Sequence, residues 1–440
     1  MFYIIESEKQ INFLKNYKEV FLHPIKHHDQ VHPLLSPLVG LYIRPLLGEK
    51  GYILPLRHPE GLNIGENLLS PLLSSFEHIH VWNKKEWGSY GAFKGVKDLH
   101  LKHTLSEIEK IDISISNPSY HHFYRKFGHL INVNQIIPIS KLYEYCEEIY
   151  EKVKPLIERE EPPGYRFFNN TAIPVFYLLE QSGVGVVEQM FKKQFSIENP
   201  EYSIQDGRVY TEYNLGNYTT RPTNTFNKVN FAAIPKDLAY RSCFSPQNDL
   251  FVEMDYSGYH LRLIGQEIGY EFGQDSPHEH LSKLLLGKQN ITLEEHDRIK
   301  QSNFQAIYGY ISPELSQLEF YQKLKQFRNE LHKKYKEQGY VEVPISGKRF
   351  GKEVDGFPPE KLTNYYIQAL ETALNIQTLK QVLQYLEGRN TKLVLYTYDA
   401  VVLDYSKKDG EEVLEGIKKI MEREGSMPVL VKKSSDLNFK

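Results

Sequence analysis

The apolar residues of the first 150 positions fall in short runs that polar and turn-forming residues separate. Residues 20–22 and 78–82 each predict a short strand, and the runs 38–43 and 51–56 flank a glycine-bearing turn that indicates a β-hairpin. Residues 140–155 carry apolar positions at helical spacing, the pattern of an amphipathic helix. This part of the chain is therefore predicted to mix helices and strands.

Longer elements are predicted between residues 165 and 440. Two acidic residues stand at special places in this pattern, because Asp255 follows a strand and precedes a helix, and Asp399 lies between two β-rich runs. The predicted strands are 250–254, 392–398 and 401–404, and the predicted helices are 172–181, 187–195, 260–268, 293–308 and 318–337.

A charged segment that ends in Pro-Pro-Gly, residues 158–164, separates the two regions. Proline and glycine at these positions end a helix, so the segment is interpreted as a linker. We therefore expect two domains, residues 1–157 and 165–440. The length of 440 residues agrees with this division, since a domain typically takes roughly 100–200 residues.

Composition excludes several classes of protein. The chain is 40% hydrophobic and 25% charged, as in ordinary folded proteins, and its net charge of -3 gives no global sign of nucleic-acid binding. Two cysteines, Cys146 and Cys243, are too few for a disulfide framework or a cysteine-rich metal site. No apolar run reaches ~18 residues, and the acidic N-terminal residues differ from a signal peptide. We expect a cytoplasmic protein.

Three segments carry candidate chemistry: residues 255–265, 300–309 and 396–404. In the second segment, Lys300, Phe304 and Tyr308 recur every four residues and share one helix face, which offers a cation, a ring and a phenol to a nucleotide. The surrounding stretch is locally basic and could neutralise phosphates. Taken singly, each feature has an ordinary alternative, because aspartates often cap helices or close hairpins and helix lysines are usually solvated.

Together and in this order, the three segments resemble motifs A, B and C of the family A DNA polymerases. Further segments that resemble the same family are 207–214, 219–224, 230–235, 339–350 and 364–373, so that the resemblance covers most of residues 166–430. It implies an α+β protein of the right-hand polymerase type. The implied parts are a reduced thumb at 165–206, a palm with an antiparallel sheet at 207–268 and 338–440, and helical fingers at 269–337.

The resemblance implies a template-directed DNA polymerase that adds deoxynucleotides to a primer 3′ end by phosphoryl transfer. Asp255 and Asp399 would be the catalytic residues. Together with the carbonyl of Tyr256 they would bind two Mg²⁺ ions, with Mn²⁺ as the alternative, because oxygen ligands suit these cations. The implied partners are primer-template DNA and dNTPs.

The resemblance also assigns side chains to the substrates. Arg221 would reach the primer end, and Asn364 and Gln368 would read the minor groove, whose acceptors are similar for every base pair. Tyr308 and the adjacent Gly309 would lie near the templating base. The complete implied set is Lys300, Phe304, His260, His296, Arg298 and Tyr308 for the nucleotide, and Arg221, Asn364, Gln368 and Tyr398 for DNA.

The chain departs from the family pattern at several of these positions. The glutamate that helps to exclude ribonucleotides is replaced by His260, which puts the sugar selectivity in doubt. The arginine before the motif B lysine is His296, and Arg298 lies about 200° around the helix from Lys300. In motif C the usual His-Asp-Glu reads Tyr398, Asp399 and Ala400, so that the essential aspartate remains.

Residues 1–157 resemble a degenerate 3′–5′ exonuclease domain of the ribonuclease H-like type. The strand that should carry an Asp-x-Glu pair has no acid at 21–25, and Trp87 stands where another aspartate belongs. We therefore expect no proofreading. His27, His28 and His32 have no standard metal-site spacing and are expected at the surface.

A short thumb would hold little duplex, so a processivity or single-strand-binding partner is a hypothesis. The small size and the lost proofreading suggest a phage or mobile-element enzyme, acting in a bacterial or phage-infected cell. Two alternatives remain open. His260 motivates a ribonucleotide-incorporating, primase-like or RNA polymerase-like enzyme. The lost acids motivate a catalytically inactive DNA-binding accessory subunit, against which the retention of Asp255, Asp399 and Lys300 argues.

Overall fold

The computed structural model of the chain describes residues 3–26, 32, 34–36, 38–63, 65–90, 94–106, 138–197, 204–226, 229–273 and 276–439. The chain forms two compact units. The first comprises Met1–Gln181 and Ile197–Asp206, and the second comprises Ser182–Ser196 and Gly207–Lys440. These units divide the chain at other points than the predicted domains 1–157 and 165–440, and the domain division stays a prediction.

The first unit contains a five-stranded mixed sheet. Its strands, in spatial order, are Tyr52–Pro55, Leu38–Pro45, Glu19–Lys26, His78–Val81 and Val96–Asp98. The first three are antiparallel neighbours and the last two continue parallel to Glu19–Lys26. This order is that of a ribonuclease H-like sheet, the type predicted for this part of the chain.

The helices of the first unit lie against both faces of the sheet. They are Glu8–Leu14, Leu69–Leu73, Leu99–Leu105, Ile139–Glu158 and Ile173–Ser182, the last preceded by a short helix Tyr165–Phe167 and a π-helical turn Phe168–Ala172. Val20 and Leu22 of the central strand belong to one buried cluster, whereas Phe21 and Ile25 belong to another. Because side chains alternate along a strand, two covered faces require an almost continuous apolar run.

Polar residues of the first unit do not all lie at the surface. His32 was expected there, but it is buried beside Glu180, at 4.0 Å between Nε2 and the carboxylate. That expectation is wrong for His32, because burial of a histidine is tolerated where a carboxylate faces the ring. His27 and His28 lie outside the described residues. Both cysteines are buried and free of disulfides.

The second unit is built on a four-stranded antiparallel sheet. The spatial order of its strands is Lys392–Thr397, Ala400–Tyr405, Leu250–Tyr256 and Val429–Ser434. Smaller antiparallel pairings join Tyr213–Asn214, Thr223–Phe226 and Val229–Asn230, join Val341–Glu342 to Arg349–Phe350, and join Val184–Gly185 to Arg208–Val209. The predicted antiparallel sheet that carries both Asp255 and Asp399 is therefore present.

Helices cover this sheet and extend beyond it. They are Glu188–Gln194, Leu238–Arg241, Tyr259–Ile268, Pro277–Leu286, Leu293–Tyr308, Glu319–Gln338, Pro359–Tyr385 and Glu412–Glu422. Thr292 and Glu295 form a reciprocal capping box at the start of Leu293–Tyr308, which satisfies two backbone N–H groups there. The helices predicted at 260–268, 293–308 and 318–337 are confirmed, with small differences at their ends.

Across the described ranges, no helix is both long and apolar enough to cross a lipid bilayer.

The central strand Ala400–Tyr405 supports a stability prediction. Leu403 is fully buried and lies opposite Val252 and Leu393 on the neighbouring strands. The substitution Leu403→Ala should lower the free energy of unfolding by about 2–5 kcal/mol, because it removes buried methyl groups and leaves a cavity. Urea denaturation followed by circular dichroism measures the loss. Leu284→Ala, at a half-exposed helix position, is the control and should change stability by less than about 1 kcal/mol.

Candidate active site

Asp255 and Asp399 lie at the same end of two neighbouring strands. Asp255 faces Ala400 in the register of the sheet, and the backbone N–H of Tyr256 donates to the carbonyl of Asp399 at 3.1 Å. The backbone of one acidic segment is thus hydrogen-bonded to that of the other. The structure brings together the two acidic residues that lie 144 positions apart in the sequence.

The electrostatics of this pair favour a cation. Burial, then the charge of Asp399 and that of Glu253, raises the pKa of Asp255 to about 7, although Lys432 and Lys300 act in the opposite direction. Desolvation by the surrounding side chains, together with the charge of Glu371, raises the pKa of Asp399. Like charges that share a site disfavour the ionised form, and a bound cation would relieve that repulsion.

The turn that carries Asp399 is strained. Tyr398 has a φ of 65°, and the N–H of Asp399 donates to the carbonyl of Thr397 at 2.9 Å. These features define a γ-turn of the rare positive-φ kind. Such strain persists only where the surroundings enforce it. Here the amide of Asn375 donates to the carbonyl of Tyr398 at 2.7 Å and holds the turn.

Asn375 is the centre of a buried polar network beneath the two acidic residues. Its amide also donates to the hydroxyl of Tyr396 at 3.1 Å, and its oxygen accepts from Tyr259 at 2.6 Å and from Arg423 at 2.9 Å. The ring of Tyr259 in turn stacks on Tyr256 at 4.4 Å between centroids. The network connects the motif A segment, the motif C hairpin and the helix Pro359–Tyr385.

The helix Leu293–Tyr308 presents its predicted functional face to solvent. Ile299, Asn303, Ala306 and Ile307 are buried on the opposite side. Asn303 is fixed there by the hydroxyl of Tyr321 at 2.6 Å and by the ring of His278 at 3.3 Å. The exposed face contains Lys300, Phe304 and Tyr308.

Phe304 and Lys300 are free to meet a ligand. Phe304 is 41% exposed, so its ring is not an ordinary core side chain. Lys300 is exposed, and its charge lowers the pKa of Asp255, which places the ammonium within electrostatic range of the acidic pair. The Lys300 ammonium and the carboxylates of the acidic pair are therefore near enough to act on the same ligand.

Sequence reasoning missed His278. This residue lies in the first turn of the helix Pro277–Leu286, 5.2 Å from the ring of Phe304 between centroids, and is almost fully buried. Burial, then Lys300 and His296, lowers its pKa to about 4, so the ring is neutral near pH 7. A neutral buried ring supports Phe304 without repelling a neighbouring cation. No periodic signal in the sequence marked it.

His260 lies at the first turn of the helix Tyr259–Ile268. Gly258 begins that helix with a φ of 65°, and a Cβ at this position would lie 2.8 Å from Pro277, so glycine is required. One ring nitrogen of His260 meets the hydroxyl of Tyr308, and the other lies 2.9 Å from the carboxylate of Glu371. His260 therefore links motif A to motif B and to the helix Pro359–Tyr385.

Arg221 contacts Glu371, the same residue that His260 meets. Its guanidinium lies 3.9 Å from the ring centroid of Tyr398 and 3.3 Å from the carboxylate of Glu371. Gln368 donates to Asn364 at 2.8 Å, which joins the two predicted minor-groove readers on one face of the helix. Glu371 follows Gln368 by three positions and so faces the same side.

Two residues that were predicted to bind the nucleotide, His296 and Arg298, are not part of the contacts around Glu371. His296 lies one turn before Lys300 and pairs with the adjacent Asp297 at 3.4 Å. Arg298 is exposed, and the hydroxyl of Ser302 bonds its backbone carbonyl. Neither side chain is linked to the acidic pair by a contact between described residues.

The antiparallel sheet of the second unit and the helices that cover it define the class of fold: the chain has the right-hand polymerase fold. It resembles the POL domain of Pol1 from M. smegmatis, whose structure is a complex with DNA primer-template and dNTP. The TM-score is 0.73 at 14% sequence identity, over 99% of this chain and 99% of that one. At this identity the likeness establishes architecture.

In sequence, the chain is similar to the DNA polymerase I of Aquifex aeolicus (strain VF5), with 27% identity over 262 residues. The match covers 51% of this chain and 44% of that protein, so the chain matches less than half the length of this relative. No protein-family model matches the sequence. The resemblance to family A DNA polymerases found from the motifs is confirmed by these two similarities.

The buried network makes a prediction about Asn375. Replacement by alanine removes every bond of its side chain, so that the carbonyl of Tyr398 loses this donor and the hydroxyl proton of Tyr259 loses its acceptor. Leaving buried polar groups unpaired costs about 1–3 kcal/mol each, so Asn375→Ala should lower the free energy of unfolding by about 3 kcal/mol. Gln377→Ala, at an exposed position of the same helix, should have little effect. Equal stability of the two variants in urea denaturation would contradict the network.

Proposed function

We propose that this chain is a template-directed DNA polymerase that adds deoxynucleotides to the 3′ end of a primer. The observation that carries the proposal is the pairing of Asp255 and Asp399 at one end of the central strands. The exposed ammonium of Lys300 lies within electrostatic range of Asp255. The structural relative bound to DNA primer-template and dNTP supports the same substrates.

The donor atoms of the acidic pair fit a divalent cation of the Mg²⁺ or Mn²⁺ kind. The carboxylates of Asp255 and Asp399 and the carbonyl of Tyr256 offer oxygen only. Burial raises both carboxyl pKa values, and neighbouring negative charge raises them further, a contribution that a cation would offset. Two such ions, when bound, would lower the pKa of the primer hydroxyl and neutralise the leaving pyrophosphate. The aspartates would hold these ions, and only through them the primer end and the triphosphate, since carboxylates alone repel phosphate groups.

The helix face Lys300, Phe304 and Tyr308 would bind the incoming nucleotide. The Lys300 ammonium is a compact charge suited to a triphosphate, and the half-exposed ring of Phe304 offers a flat apolar surface to the sugar or base. His260 would form one wall of the site that holds the sugar. His296 and Arg298 belong to this proposal as outlying phosphate contacts.

The DNA would be held by groups that tolerate any base pair. Arg221 lies against Tyr398 beside the acidic hairpin, and Asn364 and Gln368 share one helix face. Amide and guanidinium donors suit the acceptors that every base pair presents in the minor groove. We propose that these four side chains position the primer terminus.

The acidic pair generates the principal prediction for this function. Asp255→Asn and Asp399→Asn should each reduce primer extension with Mg²⁺ and dNTPs by about a thousandfold, equivalent to about 4 kcal/mol of transition-state stabilisation. Each change removes charge while preserving size. Single-nucleotide incorporation rates on a defined primer-template measure the loss.

Asp237→Asn is the matched control, since Asp237 is exposed and caps the short helix Leu238–Arg241, where asparagine caps equally well. It should extend primers at the wild-type rate. Failure of the purified wild-type protein to extend any primer would contradict the proposal and favour a DNA-binding accessory subunit. Preferential extension with rNTPs would favour the ribonucleotide-using alternative.

We further propose that the first unit has no proofreading activity. Trp87, at the position of an expected aspartate, is fully buried in an apolar cluster. Lys26, at the end of the central strand, forms a buried ion pair with Glu86 at 2.5 Å, and Lys85 pairs with Glu180 at 2.6 Å. These carboxylates are neutralised by ammonium groups, which would repel a catalytic cation.

A mismatched primer tests this proposal. The wild-type protein, given Mg²⁺ and a primer with a mispaired 3′ nucleotide, should leave that nucleotide in place and shorten no product, because the buried lysines occupy the charge-balancing positions. Gel analysis of end-labelled primers without dNTPs is the measurement. Removal of the terminal nucleotide by the purified protein would refute the proposal, provided that the Asp255→Asn variant retains the same cleavage and thereby excludes reversal of synthesis.

We also propose that residues 165–206 form a reduced thumb. A processivity or single-strand-binding partner would then help the chain to hold its DNA. Between the glycines at 183 and 207 the described residues form a single short helix, Glu188–Gln194, while residues 198–203 lie outside the description. A helix of this length presents little surface to a duplex. A partner that holds the DNA would compensate for it.

A further inference from the structure

Glu371 is a buried acid that the motifs did not assign. It lies within the helix Pro359–Tyr385, and its side chain is 1% exposed. A buried carboxylate is costly unless cations and hydrogen-bond donors surround it. Here the Nε2 atom of His260 lies at 2.9 Å, and Arg221 approaches both carboxylate oxygens, at 3.3 Å and 3.4 Å.

The carboxylate sets the direction of a hydrogen-bond chain. An ionised carboxylate only accepts, so the Nε2 atom of His260 carries a proton and donates it to Glu371. In the neutral imidazole the Nδ1 atom then accepts, and its partner is the hydroxyl of Tyr308. Desolvation and the charge of Glu371 raise the pKa of Tyr308 to about 12, so that hydroxyl keeps its proton and donates.

We propose that Glu371 is a positioning residue that determines sugar selectivity, because it fixes the ring of His260 against Tyr308 beside the nucleotide site. The inference rests on the proposed polymerase function. His260 stands where the resembled family carries a ribonucleotide-excluding glutamate, and a carboxylate from another helix here immobilises the substitute. A fixed ring occupies the space that a 2′-hydroxyl would need, whereas an unrestrained ring can rotate away.

The same carboxylate orients the primer-side arginine. Arg221 lies between Glu371 and the ring of Tyr398, whose neighbour Asp399 is one of the paired acids. One buried charge therefore restrains two groups, His260 and Arg221, beside the proposed reaction centre. Loss of Glu371 should free both groups, but only the release of His260 distinguishes ribose from deoxyribose.

The test compares Glu371→Ala and Glu371→Gln with the wild-type protein. For each, kcat/KM is measured for a dNTP and for the matching rNTP on one primer-template. In Glu371→Ala the rNTP-to-dNTP ratio should rise about tenfold, which corresponds to about 1.4 kcal/mol of lost discrimination. Glu371→Gln should give a smaller rise, because its amide oxygen still accepts from His260. This graded response is the rescue expected of a positioning role.

Two further variants separate positioning from general destabilisation. Thr363→Ala removes a buried hydroxyl of the same helix, which bonds the carbonyl of Pro359 at 2.8 Å, and should leave the sugar ratio unchanged. A double variant, His260→Ala with Glu371→Ala, should have the same ratio as His260→Ala alone, because Glu371 acts through that ring.

An unchanged sugar ratio in both Glu371 variants, with dNTP extension still measurable, would overturn the inference and leave the polymerase function standing. So would additive effects in the double variant. If Glu371→Ala does not fold, Glu371→Gln alone decides between these results. Absence of extension by the wild-type protein with either nucleotide would overturn the proposed function, and this inference with it.

Discussion

Two like charges held side by side are the constraint around which the second unit is organised. Asp255 lies on one strand and Asp399 in the turn just before the neighbouring antiparallel strand, and the register of the two strands places them together. Desolvation raises both pKa values, and negative charge adds to it, from Asp399 and Glu253 at Asp255 and from Glu371 at Asp399, which is unfavourable for the folded chain by itself. A scaffold that retains such a pair must hold it rigidly, and it gains from any cation that binds there.

The rigid part of the site is the turn that carries Asp399, and its exposed part is one face of the helix Leu293–Tyr308. A strained γ-turn, held by the amide of Asn375, presents Asp399. The helix Leu293–Tyr308 is anchored by its buried face and leaves Lys300, Phe304 and Tyr308 exposed towards a ligand. Rigidly held acids and exposed cationic and aromatic groups on a helix are a suitable division for the nucleotide of the proposed function, which must enter, react and leave.

The sequence predicted the elements and the acidic pair well, for identifiable reasons. The helix at 293–308 has a capping box and a clear polar face, and the β-rich runs around Asp399 are unambiguous. Glu371, Asn375 and His278 escaped prediction, because each is a buried polar residue to which no sequence pattern gave a role. Their partners come from distant segments, so only tertiary packing reveals them. Glu371 did leave one signal, its position three residues after Gln368 on the predicted DNA-facing side.

At His260 a carboxylate from another element meets the motif A helix. Where the resembled family carries a glutamate on that helix, His260 lies 2.9 Å from the carboxylate of Glu371 on the helix Pro359–Tyr385. In the proposed function, this carboxylate takes the place of the missing glutamate beside the nucleotide. In the first unit, by contrast, the buried acids Glu86 and Glu180 are paired with lysines.

Binding of Mn²⁺ to the acidic pair is the most direct test of the central claim. Electron paramagnetic resonance can follow the loss of free Mn²⁺ as wild-type protein, Asp255→Asn and Asp399→Asn are titrated in the presence of primer-template and a dNTP. The paired-carboxylate account predicts saturable binding by the wild type and strongly weakened binding by either single variant. Wild-type affinity in both variants would contradict it.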